Sequence, residues 1–287
     1  MKNKIFYRTI QVDDVTVFYR ESGASELPLL LLLHGFPSSS HMFRDLINEL
    51  SGKYHLIAPD YPGFGQSDAP ELENFDYTFD HLSLVIEHFI DKLGLKNINL
   101  YMQDYGGPVG FRIACRRPEL IQSLIIQNAN AYEEGFGSAA APLVAYINDP
   151  KTNEQSARFF LSLEATKWHY LNGASHPEKV SPDSYIIDQY YLNRDKNDEI
   201  QLSLFRDYGS NISKYAEWQE YFRKSQPPVL IVWGKNDEMF TSAGGNAYKK
   251  DLPQAEIHQI DGGHFLLEEH HHHVAKLMNH FISKINT

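Results

Sequence analysis

The sequence predicts an α/β fold, with a mostly parallel, doubly wound sheet that is flanked by helices. Short, continuous apolar segments recur along the chain, and such segments are typical of strands that are buried on both faces of a parallel sheet. Amphipathic helical patterns alternate with them, as helices that connect parallel strands do. The 287 residues are 42% hydrophobic, which is enough for one large core and a smaller second unit.

The predicted strands fall into two groups. Two alternating segments come first, at residues 5–11 and 15–22, and they predict an antiparallel hairpin that turns at Asp13 and Asp14. The segments that follow are predicted to be buried parallel strands, at residues 29–34, 55–59, 98–103, 121–127, 229–233 and 256–260.

Helices are predicted between these strands at residues 42–50, 79–93 and 109–117, and a last helix at 274–285. The region from about 133 to 214 departs from the alternation, because it has no buried-strand segment and is rich in tyrosine and amphipathic helical patterns. Prolines punctuate it at positions 142, 150, 177 and 182. We interpret residues 133–214 as a helical cap inserted into a core that consists of residues 1–132 and 215–287.

The charge and composition of the chain exclude some classes of partner. With 26 Lys+Arg against 37 Asp+Glu, the net charge of -11 repels phosphate backbones and anionic lipid surfaces, so no nucleic-acid partner is expected. The single cysteine, Cys115, cannot form an intramolecular disulfide. No aliphatic run approaches the roughly 20 residues of a membrane span, and the first ten residues do not resemble a signal peptide. We expect a cytoplasmic monomer or homodimer.

Four consecutive histidines, at residues 270–273, have two interpretations. They could bind a metal, because imidazole is a common metal ligand. They could also be the solvated start of the last helix. Consecutive residues point around a helix rather than toward one ion, so we prefer the second interpretation and expect no metal.

Residues 101–110 form a buried strand that leads directly into a Gly-rich helix start, which is the place of a nucleophile elbow. Small residues are needed beside such a turn, and Gly106 fits this requirement whereas Met102 does not. Asp104 stands at the position that serine takes in the G-x-S-x-G form of this turn. A carboxylate there can displace a leaving group from saturated carbon and form an alkyl ester. The alternative is that Asp104 is only the N-cap of the next helix.

Two further strand ends supply partners for Asp104. The strand at 229–233 is followed by Asp237, and the strand at 256–260 is followed by His264. The order of nucleophile, acid and histidine is the one expected for a triad on this kind of sheet. His264 would activate water as a general base, and Asp237 would orient the imidazole and stabilise its charged form.

The segment His34-Gly35-Phe36-Pro37 comes directly after another predicted strand. Its glycine permits a tight turn, so that a backbone N–H can face the nucleophile. We predict that the amides of Phe36 and Tyr105 bind the oxyanion that forms when water attacks the ester. A purely structural turn is the alternative for this segment.

Taken together, these segments resemble the α/β-hydrolase superfamily, in particular its Asp-nucleophile branch of epoxide hydrolases, haloalkane dehalogenases and fluoroacetate dehalogenases. The resemblance implies an eight-stranded sheet, a helical cap and a pocket between cap and core. The segments that carry it span nearly the whole core: residues 34–37, 60–68 (DYPGFGQSD), 103–107 (QDYGG), 234–237 (GKND) and 263–265 (GHF).

The resemblance also raises the question of which residue is the triad acid. Some relatives place that acid after the sixth strand, where this chain has Asn128-Ala129-Asn130. Asparagine cannot act as the carboxylate, so Asp237 is the better candidate, with Glu133 and Glu134 as the fallback.

The substrate class depends on the cap and on the residue after the nucleophile. Relatives commonly have Trp there, whose indole N–H can hold a halide, whereas this chain has Tyr105. In epoxide hydrolases of this branch, cap tyrosines donate to the epoxide oxygen, and the segment 205–209 with Tyr208 resembles that motif. For the second donor, the aligned position is Leu143, and Tyr146 lies one helical turn away.

Further cap residues and the function complete the prediction. Trp168, His169 and Tyr170 form a polar aromatic cluster, of which Trp168 is a candidate for substrate binding.

We expect a hydrolase that acts on a small apolar or moderately polar organic substrate and water, without cofactor or metal. Epoxide opening is the leading hypothesis and hydrolytic dehalogenation of a small organohalide is the alternative. A catalytically silent scaffold that binds a ligand or partner is the alternative from another class.

Overall fold

The structure, a computed structural model, describes residues 4–285; residues 1–3 and 286–287, which the sequence assigns to the core, lie outside this range. Residues 4–285 form one eight-stranded, mostly parallel sheet flanked by ten α-helices, so the predicted fold class is confirmed. The strands are β1 (Phe6–Val12), β2 (Val15–Ser22), β3 (Leu29–Leu33), β4 (His55–Pro59), β5 (Ile98–Gln103), β6 (Ile121–Gln127), β7 (Val229–Gly234) and β8 (Glu256–Ile260).

The strands lie in the order β1-β2-β4-β3-β5-β6-β7-β8. β1 and β2 form the predicted antiparallel hairpin, and β2 also pairs antiparallel with β4. Every pair from β4 to β8 is parallel. The carboxyl ends of these parallel strands therefore meet at one edge of the sheet, which is where such folds bind ligands.

β3 shows why the sheet needs helices on both faces. Its five leucines are all buried. Leu29, Leu31 and Leu33 belong to the core on one face of the sheet, whereas Leu30 and Leu32 belong to the core on the other. Successive side chains of a strand point to opposite faces, so an uninterrupted apolar strand has to be covered twice.

The helices alternate with the parallel strands. α2 begins after Thr78, whose side chain accepts a hydrogen bond from the amide of His81, and it ends at Gly94 in the left-handed conformation. The helices are α1 (Arg44–Leu50), α2 (Phe79–Leu93), α3 (Gly106–Arg116), α4 (Ala141–Asn148), α5 (Pro150–Phe159), α6 (Leu163–Leu171), α7 (Pro182–Leu192), α8 (Asn197–Ser225), α9 (Ser242–Ala247) and α10 (Leu267–Ile285).

Between β6 and β7 the chain forms helices α4 to α8, which we call the helical insertion. Pro142, Pro150 and Pro182 lie in the first turns of α4, α5 and α7, where the missing proline N–H is not needed. α8 is one continuous helix across residue 214, where the sequence predicts the end of the cap. The division of the chain into a core and a cap domain stays a prediction.

Helix α10 and strand β8 differ from their predictions. α10 begins at Leu267 rather than at 274, so residues 270–273 lie inside the helix. The polar residues 268–273 hide its first turns in the sequence, although Leu267 and Val274 are buried seven residues apart on one face. β8 is only partly buried, because it is an edge strand with β7 as its neighbour. In the part of the chain that the structure describes, no helix combines the length and the apolar character that crossing a membrane requires.

Candidate active site

Asp104 lies in the turn between β5 and α3 and has a backbone φ of 51°. This left-handed conformation is unusual for a residue other than glycine, and such strain concentrates at functional sites. Asp104 is not the N-cap of α3, because that position belongs to Tyr105, whose side chain makes no capping hydrogen bond. Instead, Oδ1 of Asp104 accepts a hydrogen bond of 2.7 Å from the backbone N–H of Phe36, in the loop after β3.

Two glycines allow the elements around Asp104 to approach each other. A Cβ atom on Gly35 would lie 2.3 Å from Cβ of Asp104, so only glycine fits beside the carboxylate. A Cβ atom on Gly110 would lie 2.3 Å from Sδ of Met102. Met102 stands where the turn requires a small residue, and Gly110 on α3 makes room for it. The strand and the helix therefore pack closely in spite of the methionine.

His34 connects the loop after β3 to the loop after β4. Its Nδ1 hydrogen-bonds the carbonyl of Gly35 at 3.1 Å, and its Nε2 accepts a bond of 3.3 Å from the amide of Tyr61. Burial lowers the pKa of His34 to about 4, so the ring is neutral and its Nδ1–H is the donor. These contacts fix the loop that presents the Phe36 amide to Asp104.

The structure brings Asp237 and His264, which follow β7 and β8, to Asp104. Nδ1 of His264 lies 2.7 Å from Oδ2 of Asp237. Nε2 of His264 lies 3.7 Å from Oδ2 of Asp104. All three side chains are buried. With an imidazole placed between two carboxylates, the three side chains can support nucleophilic attack followed by base-assisted hydrolysis.

Four N–H groups hold the carboxylate of Asp237. Its Oδ1 accepts from the backbone amides of Met239 and Phe240, at 2.7 and 3.1 Å. Its Oδ2 accepts from the side chain of Asn128 at 2.7 Å, in addition to His264. Asn128 follows β6, at the position where some relatives carry the acid. The sequence excludes it as the acid, but its role in orienting Asp237 is visible only in the structure.

Burial and charge perturb the two titrating groups that face each other. Burial raises the pKa of Asp104 to about 6, although the charge of His264 and the amides of Phe36 and Tyr105 oppose the rise. Burial alone would lower the pKa of His264, but the charge and hydrogen bond of Asp237 and the charge of Asp104 together raise it. Asp104 is therefore mostly ionised above about pH 6, where its carboxylate is available as a nucleophile.

A cavity opens beside Asp104, between the carboxyl ends of the strands and the helical insertion. Its polar groups are few and come from Asp104, Tyr105, His169, Tyr208 and His264. A mostly apolar cavity with a few convergent polar groups suits a small organic molecule. The apolar lining consists of Phe36, Phe136, Ala140, Leu143, Val144, Ile147, Phe205, Met239 and Phe240.

Tyr105 and Tyr208 both reach this cavity. Burial raises the pKa of the Tyr105 hydroxyl well above its ordinary value, and the charge of Asp104 adds to the rise. Burial does the same for Tyr208, with contributions from Tyr215 and Asp104. Both phenols therefore keep their protons at neutral pH and can donate hydrogen bonds to a ligand.

The structure does not bring Tyr146 to the cavity. Tyr146 belongs to α4 and is buried in the hydrophobic core, whereas Leu143, Val144 and Ile147 of the same helix line the cavity. Each residue of a helix turns the side chain by about 100°, so Tyr146 points roughly 100° away from the centre of that lining face.

Trp168 lies outside the cavity as well. It borders a separate shallow depression together with Phe159 and Phe160. Its neighbour His169 lines the cavity instead, with its ring centroid 6.0 Å from that of His264. The third member of the predicted cluster, Tyr170, donates a hydrogen bond of 2.5 Å to Asp188. Trp168 and His169 are neighbours on α6 and point in different directions, and only His169 faces the cavity.

Other predicted alternatives are exposed. Glu133 and Glu134, the fallback acids, are on the surface, where Glu134 forms an ion pair with Lys250. Three of the histidines at 270–273 contact separate partners: His270 the backbone carbonyl of Asp261, His271 that of Leu267, and His272 the carboxylate of Glu49. His271, His272 and Glu49 each offer one potential metal-ligand atom, and these three atoms lie within 4.8 Å of one another on the outside of the fold.

Comparison with known proteins shows what this chain is similar to. A family described as "alpha/beta hydrolase fold" matches residues 28–271. The uncharacterized hydrolase YNR064C of Saccharomyces cerevisiae is 42% identical over 270 residues, which are 92% of each chain. A haloalkane dehalogenase of Psychrobacter cryohalolentis is 27% identical over 292 residues, covering 95% of this chain and 91% of the relative. The haloalkane dehalogenase DbeA from Bradyrhizobium elkani has the same fold, with a TM-score of 0.84 at 24% identity over 99% of both chains.

Proposed function

Because the chain belongs to the α/β-hydrolase fold family and is a hydrolase, we propose that it works through a covalent ester on Asp104 and opens epoxides to diols. The observation that carries this proposal is the carboxylate in the strained turn after β5. Its Oδ1 is held by the amide of Phe36, and its Oδ2 faces His264. One oxygen is therefore fixed in place while the other remains available to attack.

In the first step, Oδ2 of Asp104 attacks a ring carbon of the epoxide. The bond between that carbon and the ring oxygen breaks, and its electron pair goes to the oxygen. The oxygen takes a proton from a cavity phenol, which recovers one from solvent before the next turnover. The product of this step is an alkyl ester on Asp104 with a hydroxyl group on the neighbouring carbon.

In the second step, His264 takes a proton from water, and the oxygen of that water attacks Cγ of Asp104. Negative charge develops on Oδ1, which already accepts a hydrogen bond from the amide of Phe36. The amide of Tyr105, which also interacts with the Asp104 carboxyl, is the second donor of the proposed oxyanion site. The bond between Cγ and Oδ2 then breaks, and the leaving oxygen of the diol takes the proton from His264. Asp237, 2.7 Å from Nδ1 of His264, stabilises the imidazolium that exists between these events. Asp104 is left as a carboxylic acid, and the proton that it loses to solvent balances the one that the phenolate recovers.

The two phenols in the cavity favour an epoxide over a halide. An alkoxide leaving group is a strong base and needs a proton donor. Tyr105 and Tyr208 both keep their protons at neutral pH, so either phenol can donate to the leaving oxygen. Among the residues that line the cavity, within 4–285, there is no Trp, Asn or Gln to hold a halide through an indole or amide N–H.

Hydrolytic dehalogenation is the second candidate, and the 27% identity to a haloalkane dehalogenase over most of both chains favours it. The ester chemistry would be the same, except that the halide leaves with its electron pair and needs no proton. The hydroxyls of Tyr105 and Tyr208 would then donate hydrogen bonds to the halide. The catalytically silent scaffold is no longer an alternative, because the protein is an enzyme of the α/β-hydrolase type.

A product assay on two substrate panels tests the proposed function. The purified protein is incubated with terminal and aryl epoxides on one side, and with short haloalkanes and haloacetates on the other. Diol from the epoxides together with no halide release is the expected result. Halide release without diol would replace the epoxide proposal with the dehalogenase candidate.

Tyr208→Phe is expected to slow ester formation by about 10² to 10³, the usual effect of losing one donor to developing charge. Substrate binding should change much less, because the hydrogen bond strengthens only as the leaving oxygen gains charge. Pre-steady-state kinetics of adduct formation measures the two effects separately.

Tyr146→Phe is the matched control, since it removes the hydroxyl of a buried tyrosine in the helical insertion that does not line the cavity. It should leave the rate of ester formation unchanged. Equal rates for Tyr208→Phe and the unmodified enzyme would show that this phenol does not donate to the leaving group.

A further inference from the structure

A side chain next to the proposed nucleophile contacts the proposed base directly. Gln103 is the last residue of β5 and is fully buried. Its Nε2 lies 2.9 Å from Nε2 of His264. The carboxamide of Gln103 is thus hydrogen-bonded to the same ring nitrogen that would take the proton from water. Asp104 does not compete for that nitrogen in this arrangement, because its Oδ2 is 3.7 Å away, beyond hydrogen-bond distance.

This contact defines the protonation state of His264. An amide nitrogen can only donate, so Nε2 of the imidazole has to accept with its lone pair. The other ring nitrogen, Nδ1, lies 2.7 Å from a carboxylate oxygen of Asp237 and therefore carries the proton. If Gln103 turned its Oε1 to the ring instead, Nε2 would have to be protonated. The observed contact, in which Nε2 of Gln103 donates to His264, requires a neutral imidazole, which is the form that can act as a base.

The second atom of the carboxamide supports this orientation as a functional arrangement. Oε1 of Gln103 is buried and has no hydrogen-bond partner. An unsatisfied buried acceptor costs free energy. The hydrogen bond between Nε2 of Gln103 and His264 is therefore formed although Oε1 of the same side chain is left without a partner. A purely structural glutamine would be expected to satisfy both ends, as Gln127 does on the next strand through Tyr101 and the carbonyl of His264.

We propose that Gln103 is a positioning residue that holds Nε2 of His264 as a hydrogen-bond acceptor and so keeps His264 in the neutral form that ester hydrolysis requires. When the ester has formed, water takes the place of the amide at Nε2 and gives its proton to the ring. This inference rests on the proposed function, because only that function assigns ester hydrolysis to His264.

Charged and titratable groups from three other elements also face the His264 ring. Asp237, after β7, and Asp104, after β5, both favour the charged ring. His169, on α6, also faces the ring, and burial together with the charge of His264 lowers the pKa of His169 to about 3, so that it stays neutral. Gln103 acts against the two carboxylates, since a donor at Nε2 stabilises only the unprotonated ring.

The first test is an NMR titration of the His264 ring, which needs no substrate. The signal of His264 is assigned among the 14 histidines by comparison with His264→Gln. Gln103→Met, which keeps length and volume but removes the donor, should raise the pKa of His264 by up to about one pH unit, the size of one neutral hydrogen bond. Gln103→Leu should do the same and serves if the methionine variant does not fold.

Gln127→Leu is the matched control. It removes a second buried carboxamide near His264, one that contacts the backbone carbonyl and not the ring. The pKa of His264 should not change in this variant. An unchanged or lowered pKa in both Gln103 variants would overturn the proposal.

The second test measures the two half-reactions by single-turnover kinetics as a function of pH. In Gln103→Met, the acid limb of ester hydrolysis should move to higher pH by the shift seen in the NMR titration, while the profile of ester formation stays in place. An equal movement of both profiles would contradict a role confined to His264. If no ester forms in any variant, the proposed function fails, and the NMR titration still decides whether Gln103 sets the state of the ring.

Discussion

Asp104→Asn is expected to reduce turnover by about 10⁴-fold or more, because the variant has no nucleophile and the remaining groups only bind and polarise the substrate. The carboxamide can still accept the hydrogen bond from the Phe36 amide, so the turn and the cavity should persist. Product formation gives the rate, and intact-mass spectrometry should show no substrate adduct.

Asp195→Asn, an exposed replacement of the same chemistry in the helical insertion, is the control and should keep the full rate. Turnover by Asp104→Asn within tenfold of the unmodified enzyme would mean that the reaction does not proceed through this carboxylate.

The same substitution should stabilise the fold at neutral and alkaline pH. Burial raises the pKa of Asp104 from 3.8 to about 6, so the folded protein favours the protonated carboxyl. The stability from this group is fully present below about pH 4 and is lost as the pH rises through about 6. Removing the charge should therefore raise the free energy of unfolding by up to about 3 kcal/mol at pH 8.

Denaturant unfolding at pH 8 and pH 4 measures this difference. The advantage of Asp104→Asn over the unmodified protein should be present at pH 8 and absent at pH 4. A variant that is less stable at pH 8 would show that the interactions of the ionised carboxylate outweigh the cost of its burial.

His264→Gln is expected to accumulate the ester, because the imidazole is needed to activate water and not to form the bond to carbon. Loss of a general base typically slows the dependent step by about 10² to 10⁴. Intact-mass spectrometry of the variant after exposure to substrate should show a mass increase equal to one substrate molecule. The increase should persist while the unmodified enzyme returns to its original mass.

His280→Gln makes the same change on the exposed face of α10 and should not accumulate an adduct. A folded His264→Gln variant that binds substrate without gaining mass would place His264 in the first half-reaction rather than the second.

Most of the parallel strands were predictable because they are apolar segments that are long enough for a strand and too short for a helix. β3 illustrates this, since its five leucines have to be buried on both faces of the sheet. The start of α10 was not predictable in the same way. Its first turns carry mostly polar residues, so the sequence shows the buried face only from Val274 onward.

The residues around the nucleophile were predictable from their place at the ends of parallel strands. Asp104, Asp237 and His264 each follow such a strand, and those ends meet at one edge of the sheet. The side chains of the helical insertion were not predictable, because the rotation of a helix is set by its packing. Tyr146 and Trp168 lie on helices that reach the cavity, but neither faces it.

Polar residues at the ends of buried strands were the signal that sequence reasoning left unused. Gln103 and Asn128 end or follow β5 and β6, and both are fully buried in the structure. Each forms a hydrogen bond to a residue of the proposed catalytic group: Gln103 to His264 and Asn128 to Asp237. A polar side chain at such a position has to find a partner there, because buried polar groups are rarely left unsatisfied.

The covalent ester on Asp104 is tested most directly by a single turnover in heavy-oxygen water with the enzyme in excess over substrate. If water attacks Cγ of the ester, one heavy oxygen atom should appear in the Asp104 carboxylate, and mass spectrometry of the proteolytic peptide that contains this residue would detect it. The diol or alcohol released in that first turnover should carry no label. Label in the product alone, with an unlabelled Asp104 peptide, would contradict the account, because water would then attack the substrate directly.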